Sequence, residues 1–182
     1  MSWLTAVIEI LVIVADYSSP HPFANYIIRT TSIVENCPQR IRIPASFLVG
    51  VSLTLLGTLI RILCYQSLGQ LFTFELSIQP GHKLIVTGPY SIVRHPSYTG
   101  MILTIIGTFC SNFHGSWIAE CGVLGLGFGK MLVAYWTVVG SAVILSLLLR
   151  IPNEDELLKR QFGKDWELWA SQVPYRLVPG FY

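Results

Sequence analysis

An all-helical bundle embedded in a membrane is the fold this sequence predicts, and three observations predict it. Of 182 residues, 52% are apolar and 12% are charged, whereas soluble domains carry about 25% charge. The mean hydropathy is +0.57, so much of the surface must face something other than water. The apolar residues are also gathered into stretches of the length that a bilayer demands, about 20 residues each, with turn signals between them. One compact membrane domain is the economical arrangement. The formal charge of +2, with no long basic run, argues against a nucleic-acid partner.

The first residues, "MSWLTAVIEILVIVADYSSPHPF", hold no basic leader, and Glu9 interrupts the apolar run. They read as an uncleaved, short first helix rather than a signal peptide. Residues 3–15 and 23–35 are weak membrane candidates. The stretch "PASFLVGVSLTLLGTLIRILC", Pro44 to Cys64, is the clearest span. Pro44 suits its first turn, and Arg61 can snorkel at its far end. A second span is expected over about Pro96–Phe113, and a third over Lys130–Arg150. Between them, the Gly-rich "SWIAECGVLGLGFG" is compatible with a short helix or a re-entrant piece. The total expected is four or five helices that cross or enter the bilayer.

Lys83, Arg94, Arg150, Lys159, Arg160, Lys164 and Arg176 fall in segments 65–95 and 150–182. The positive-inside rule places both on the cytosolic side. Arg40 and Arg42, at the other end of the 44–64 span, run against it. Four cysteines, Cys37, Cys64, Cys110 and Cys121, are widely spaced with no CxxC pair. That spacing predicts apolar packing residues rather than a metal site or disulfides.

The C-terminal stretch "RIPNEDELLKRQFGKDWELWASQVPYRLVPGFY" is too polar to span. Asn153 is a good N-cap, with Glu156 three residues later. Leu157, Leu158 and Phe162 form one face of a first amphipathic helix, and Gly163 is placed to end it. Trp166, Trp169 and Val173 form one face of a second, stopped by Pro174. Helices of this kind lie along a membrane interface.

The stretch "GPYSIVRHPSYTG", Gly88 to Gly100, is polar just where a span should begin. Gly88-Pro89 is a turn, and Pro96 is placed to open a helix with His95 as its cap. A helix N-terminus suits a carboxylate, and the faces of Tyr90 and Tyr98 suit a cation. A ligand with both features would fit. The same residues taken singly also fit a loop that anchors the interface. Arg150 and Glu154, four residues apart at the end of the third span, form a second polar cluster on the same side.

The pairing of "GHKLIVTGPYSIVRHPSYTG" with "RIPNEDELLKRQFGKDWELWASQVPYRLVPGFY" resembles the isoprenylcysteine carboxyl methyltransferase family over roughly residues 70–182. The RHP-Y-G segment alone is also similar to phospholipid methyltransferases and sterol reductases. The resemblance implies membrane helices over 1–69 and a methyltransferase core over 70–182. Its S-adenosylmethionine pocket would lie on the cytosolic face, formed by the 70–98 loop and the C-terminal amphipathic helices. It implies His82, Lys83, Leu84, Ile85, Tyr90, His95, Pro96, Ser97, Tyr98 and Glu154 as cofactor residues, Arg150 as the substrate-side arginine, and no metal. The implied substrates are prenylated C-terminal cysteines, and the implied location is the endoplasmic reticulum membrane. A glutamine that some members place ahead of the histidine falls near Glu75 here. Consecutive glutamates of other members are replaced by Glu-Asp-Glu at 154–156, the Gly-rich insert 115–129 has no counterpart, and the chain is short at its N-terminus. A C-terminal carboxylate is ionised at neutral pH and needs no catalytic base to accept a methyl group, only positioning. Methylation of a phospholipid amine or another membrane-soluble small molecule, and a non-catalytic scaffold that retains the fold, are the competing readings.

Overall fold

The computed structural model describes residues 2–18, 21–34, 36–69, 83–113 and 115–182. All regular structure among the described residues is helical. The helices are α1 (Ser2–Tyr17), α2 (Pro22–Thr31), α3 (Cys37–Arg40), α4 (Ala45–Leu68), α5 (Pro96–Phe113), α6 (Trp117–Glu120), α7 (Gly127–Phe162) and α8 (Lys164–Gln172). Short 3-10 turns occupy Gly88–Ser91 and Val123–Gly125.

Two helices, α4 and α7, are long and apolar enough to cross a membrane. Their most apolar stretches are 17% and 6% buried. A core helix of a soluble protein would be covered by its neighbours, whereas these present Leu55, Leu59, Val138 and Leu145 to the outside. Apolar side chains displayed this way call for lipid. The third expected span, α5, forms over the expected residues but is not among the helices that meet this length-and-hydropathy measure.

The chain divides into two compact units. The first comprises Met1–Thr54 and Ile105–Val139. Its core is Val12, Cys37 and Cys121, with Ile8, Ile41 and Trp117 packed against them. Glu9, the charge that interrupts α1, accepts a hydrogen bond from the Trp117 backbone at 3.0 Å. The Trp117 indole donates to the Thr31 carbonyl at 2.9 Å. The Gly-rich insert is therefore a short helix and a 3-10 turn docked on α1 to α3. In this unit a Cβ on Gly50 would stand 2.6 Å from the Gly107 carbonyl oxygen, so the two backbones approach as only glycine allows.

Cys37 and Cys121, 84 residues apart, form a disulfide. This corrects the expectation of unpaired cysteines. No local spacing announces the pair, because α3 and α6 bring the two together only in the folded chain. Cys64 and Cys110 are free.

The second unit comprises Leu55–Thr104 and Gly140–Tyr182. Here Gly57 meets the Gly100 carbonyl oxygen, 2.4 Å from where its Cβ would stand. Pro44 precedes the first helical residue of α4, and its carbonyl accepts from Phe47 and Leu48. Asn153 does not cap a new helix, since α7 runs unbroken through Pro152 to Phe162. A proline inside a helix removes one N–H and crowds the carbonyl four residues back. The helix survives because the turn around it is held from the side: Ile151 is fully buried, and Asp155 is buried and ion-paired. The inward stripe is thus Ile151, Glu154, Asp155 and Leu158. Leu157, expected inside, is exposed. Gly163, at φ 52°, separates α7 from α8 as expected, and Trp169 and Val173 are buried as expected.

A cross-link closing a loop of this length stabilises by about 2–5 kcal/mol. Cys37→Ser and Cys121→Ser should each lower the melting temperature in detergent by similar amounts, and the double variant no further. Maleimide labelling of denatured protein should reach two cysteines without reductant and all four with it. Four labelled without reductant would contradict the pairing.

Candidate functional site

The site lies wholly within the second unit. The Gly88-Pro89 turn becomes a 3-10 turn through Ser91, with Gly88 at φ 63°. The chain then runs beside the C-terminal tail. Arg94 N–H donates to the Tyr175 carbonyl at 3.0 Å, and His95 N–H to the Arg176 carbonyl at 2.9 Å. The Thr99 hydroxyl donates to the Leu177 carbonyl at 2.7 Å. Trp169 on α8 donates its indole N–H to the Tyr90 carbonyl at 3.1 Å. Four contacts therefore bind the segment 90–99 to residues 169–177.

Pro96 opens α5, and the His95 carbonyl accepts from Tyr98 N–H at 3.1 Å and from Thr99 N–H at 3.3 Å. His95 is a cap by its backbone only. Its side chain, 4% exposed, turns to α7, where Nε2 lies 3.0 Å from Asp155 Oδ1. Its ring stacks on Tyr98, with centroids 5.5 Å apart and planes 16° apart. The Tyr98 hydroxyl donates to Glu154 Oε2 at 2.5 Å. That same oxygen lies 3.9 Å from His95 Nδ1 and 3.9 Å from Arg150 Nε. Glu154 and Arg150 remain partly open to solvent.

Beneath this layer Asp155 is 6% exposed. Its Oδ2 is 3.4 Å from an Arg94 nitrogen and 3.3 Å from Arg176 Nε. These are ion-pair distances without hydrogen-bond alignment at Oδ2. The Arg94 guanidinium also sits over the Trp166 ring at 5.7 Å. Burial, and then the neighbouring Cys64 thiol and Glu154 carboxylate, push the Tyr90 phenol well above its ordinary range. Tyr90 is therefore a neutral hydroxyl at any physiological pH.

Of the residues expected at the site, the structure gathers His95, Tyr98, Arg150 and Glu154 directly and brings Tyr90 alongside. Pro96 and Ser97 form the first turn of α5. Lys83, Leu84 and Ile85 lie in a segment without regular structure. No hydrogen bond or ion pair among the described residues ties those three to the cluster. His82 and Glu75 lie outside the described residues. Sequence reasoning gave Asp155 and Arg176 no place at the site, and it left Arg94 as part of a stretch that fits either a ligand site or a loop anchoring the interface. A signal was present, since Asp155 stands at i+4 from Ile151, on the face that α7 buries.

A groove of 480 Å³ runs between α4 and the 3-10 turn, lined by Ile60, Leu63, Gln66, Ser67, Gly88, Pro89 and Ile92. Its walls are almost entirely apolar.

Two helices with the length and exposed apolar surface of membrane spans, and one cluster of ionised and aromatic side chains gathered at the end of α7, give the chain the character of a membrane protein. Residues 50–124 match the model of the isoprenylcysteine carboxyl methyltransferase (ICMT) family, which bears out the resemblance drawn from the sequence. The chain is 31% identical over 130 residues to a probable protein-S-isoprenylcysteine O-methyltransferase of Oryza sativa subsp. indica, covering 69% of this chain and 57% of that protein. It is 29% identical over 128 residues to protein-S-isoprenylcysteine O-methyltransferase B of Arabidopsis thaliana, covering 69% and 55%. It is also 30% identical over 100 residues to 7-dehydrocholesterol reductase of Xenopus laevis, covering 55% of this chain but 18% of the reductase. The chain thus spans a little over half the length of the plant relatives it matches.

Trp169 is the buried bolt between α8 and the Tyr90 turn. Trp169→Ala should cost about 3–5 kcal/mol, the usual range for truncating a buried tryptophan. Trp169→Phe, which keeps most of the packing and drops the hydrogen bond, should cost about 1 kcal/mol. Thermal unfolding in detergent measures both, and equal melting temperatures for the two variants would contradict the packing role.

Proposed function

We propose that the protein transfers a methyl group from S-adenosylmethionine to the C-terminal carboxylate of a prenylated cysteine, with residues 70–182 as the methyltransferase core. The observation that carries this reading is the meeting of Glu154 and Arg150, from α7, with His95 and Tyr98, from the RHPSY segment 52 or more residues earlier. The two halves of the family-like pattern form one cluster. The names of the plant relatives point the same way.

The donor set suits the cofactor. Its ammonium calls for acceptors, which Glu154 and His95 Nδ1 supply. Its sulfonium is a cation, for which the faces of Tyr90 and Tyr98 are fitting neighbours. Its carboxylate suits the N-terminus of α5. When bound, the cofactor supplies an electrophilic methyl group.

The chain's own residues then have positioning work. Arg150 holds the acceptor carboxylate through charge-assisted hydrogen bonds. That carboxylate is ionised already, so no residue is needed to remove a proton. Too tight a grip would blunt the nucleophile, so Arg150 serves orientation rather than activation. The apolar groove beside Tyr90 offers the isoprenoid chain a slot continuous with the bilayer-facing surface of α4.

The endoplasmic reticulum membrane, with the site facing the cytosol, is the location this reading requires. The positive-inside assignment supports it. So does the disulfide: Cys37 precedes α4 and Cys121 follows α5, on the flanks that the assignment leaves non-cytosolic, and disulfides persist in oxidising compartments.

The reductase match covers too little of that enzyme to favour a shared reaction. Arg150 separates carboxylate from amine methylation. Lysine reproduces a guanidinium's paired hydrogen bonds poorly, so Arg150→Lys should lower kcat/KM on farnesylcysteine at least about ten-fold, or roughly 1.4 kcal/mol. Cofactor affinity should be spared. Glu154→Gln should do the reverse and weaken cofactor affinity about ten- to a hundred-fold, by loss of a charged hydrogen bond. Full activity of Arg150→Lys and Arg150→Ala on farnesylcysteine would remove Arg150 from the reaction, and activity on a phospholipid amine alone would replace the proposed substrate.

A further inference from the structure

We infer that Asp155 is a positioning residue, which orients the His95 ring so that Nδ1 and the Glu154 carboxylate form a paired acceptor for an ammonium group. The inference rests on the methyltransferase reading for the ammonium's identity, the amino-acid end of S-adenosylmethionine. The geometry is independent of that reading. The family resemblance assigns His95 and Glu154 to the cofactor and leaves Asp155 with no role.

Asp155 Oδ1 is a hydrogen-bond acceptor 3.0 Å from His95 Nε2. A carboxylate can only accept, so Nε2 carries the hydrogen. In the neutral ring Nδ1 then carries the lone pair, and it is Nδ1 that faces Glu154 Oε2 at 3.9 Å. The Tyr98 hydroxyl already donates to that oxygen, and a further donor placed between Nδ1 and the carboxylate would serve both acceptors. An ammonium group has three N–H donors and a charge that Glu154 complements. Stacking on Tyr98 fixes the plane of the imidazole, and Asp155 fixes which edge of that plane turns toward Glu154.

Asp155 can hold this post because it is itself pinned. Arg94 and Arg176 flank its second oxygen, and both are fixed through the backbone pairing of 94–95 with 175–176. Two guanidinium groups offset its charge, so its remaining oxygen is given over to His95. The arrangement is the one by which metal- and acid-base histidines are oriented, a carboxylate behind the ring selecting the nitrogen in front. Here its product is a binding edge.

The test uses the full chain in detergent, with two probes: S-adenosylmethionine and the analogue in which hydrogen replaces the α-ammonium. Calorimetry gives both affinities for wild type, Asp155→Asn and Asp155→Glu. Wild type should prefer the natural cofactor. Asp155→Asn, which can present an amide N–H to Nε2 and so turn or re-tautomerise the ring, should lose ten-fold or more for the cofactor and less than three-fold for the analogue. Asp155→Glu retains the charge between Arg94 and Arg176 but displaces the ring, and should show the same selective loss. A second readout needs no cofactor: in 15N-histidine-labelled protein, the His95 resonances, assigned through His95→Gln, should report a protonated Nε2 in wild type and a changed signature in Asp155→Asn. Equal losses for both probes in both variants would make Asp155 a merely structural residue and overturn the inference. Unchanged affinity in both would do the same. Wild type that binds neither probe would instead overturn the methyltransferase reading, leaving the His95 resonances to decide the orienting role alone.

Discussion

A carboxylate taken out of water costs several kcal/mol unless its partners replace the lost hydration. Asp155 is such a group, and its compensation organises the second unit. Its partners come from three parts of the chain: Arg94 and His95 before α5, Arg176 in the tail, and its own turn of α7. Removing any partner would leave a buried charge uncovered, so the three segments are held to one arrangement. The consequences run outward. The helix continues through Pro152, the tail lies against the RHPSY segment, and Glu154, next in sequence, is delivered to Tyr98 and His95.

Charge scarcity gives this cluster its meaning. A chain with 12% charged residues has gathered Arg94, Arg150, Glu154, Asp155 and Arg176 at one place. An arrangement that only anchored helices at an interface would leave these groups to water, where ion pairs contribute little. Instead the inner layer is buried and balanced, and the outer layer of Arg150 and Glu154 stays reachable. A buried scaffold beneath an accessible edge is what a binding site for a charged ligand in a membrane protein requires.

Much of this was legible in the residues. Runs of the length a bilayer needs located α4, α5 and α7, Pro96 marked the start of α5, and Gly163 marked the end of α7. The turn at Gly88-Pro89 and the buried faces of Trp169 and Val173 also followed from local chemistry. What escaped was non-local. Cys37 and Cys121 carry no spacing signal because their meeting depends on how α3 and α6 pack. Asn153 and Glu156 had the pattern of a helix start, but that pattern competes with tertiary anchoring, and Asp155 decided the outcome. Leu157 looked like the inward residue by hydrophobicity alone, whereas the stripe through Ile151 and Asp155 won because pairing a buried acid outweighs burying one more leucine. Arg94 and Arg176 could not be told from ordinary interfacial cations, since salt bridges between residues far apart in the chain leave no trace in local sequence.

The central claim is that this cluster directs a methyl group to a carboxylate. The most direct measurement incubates the purified protein in lipid vesicles with methyl-labelled S-adenosylmethionine and a farnesylcysteine, beside a control with a phospholipid amine. A methyl ester is cleaved by mild base and releases its label as volatile methanol, whereas a methylated amine keeps it. The account predicts base-labile label on the farnesylcysteine and almost none on the amine. Base-stable label on the lipid, or none on either acceptor despite bound cofactor, would contradict it.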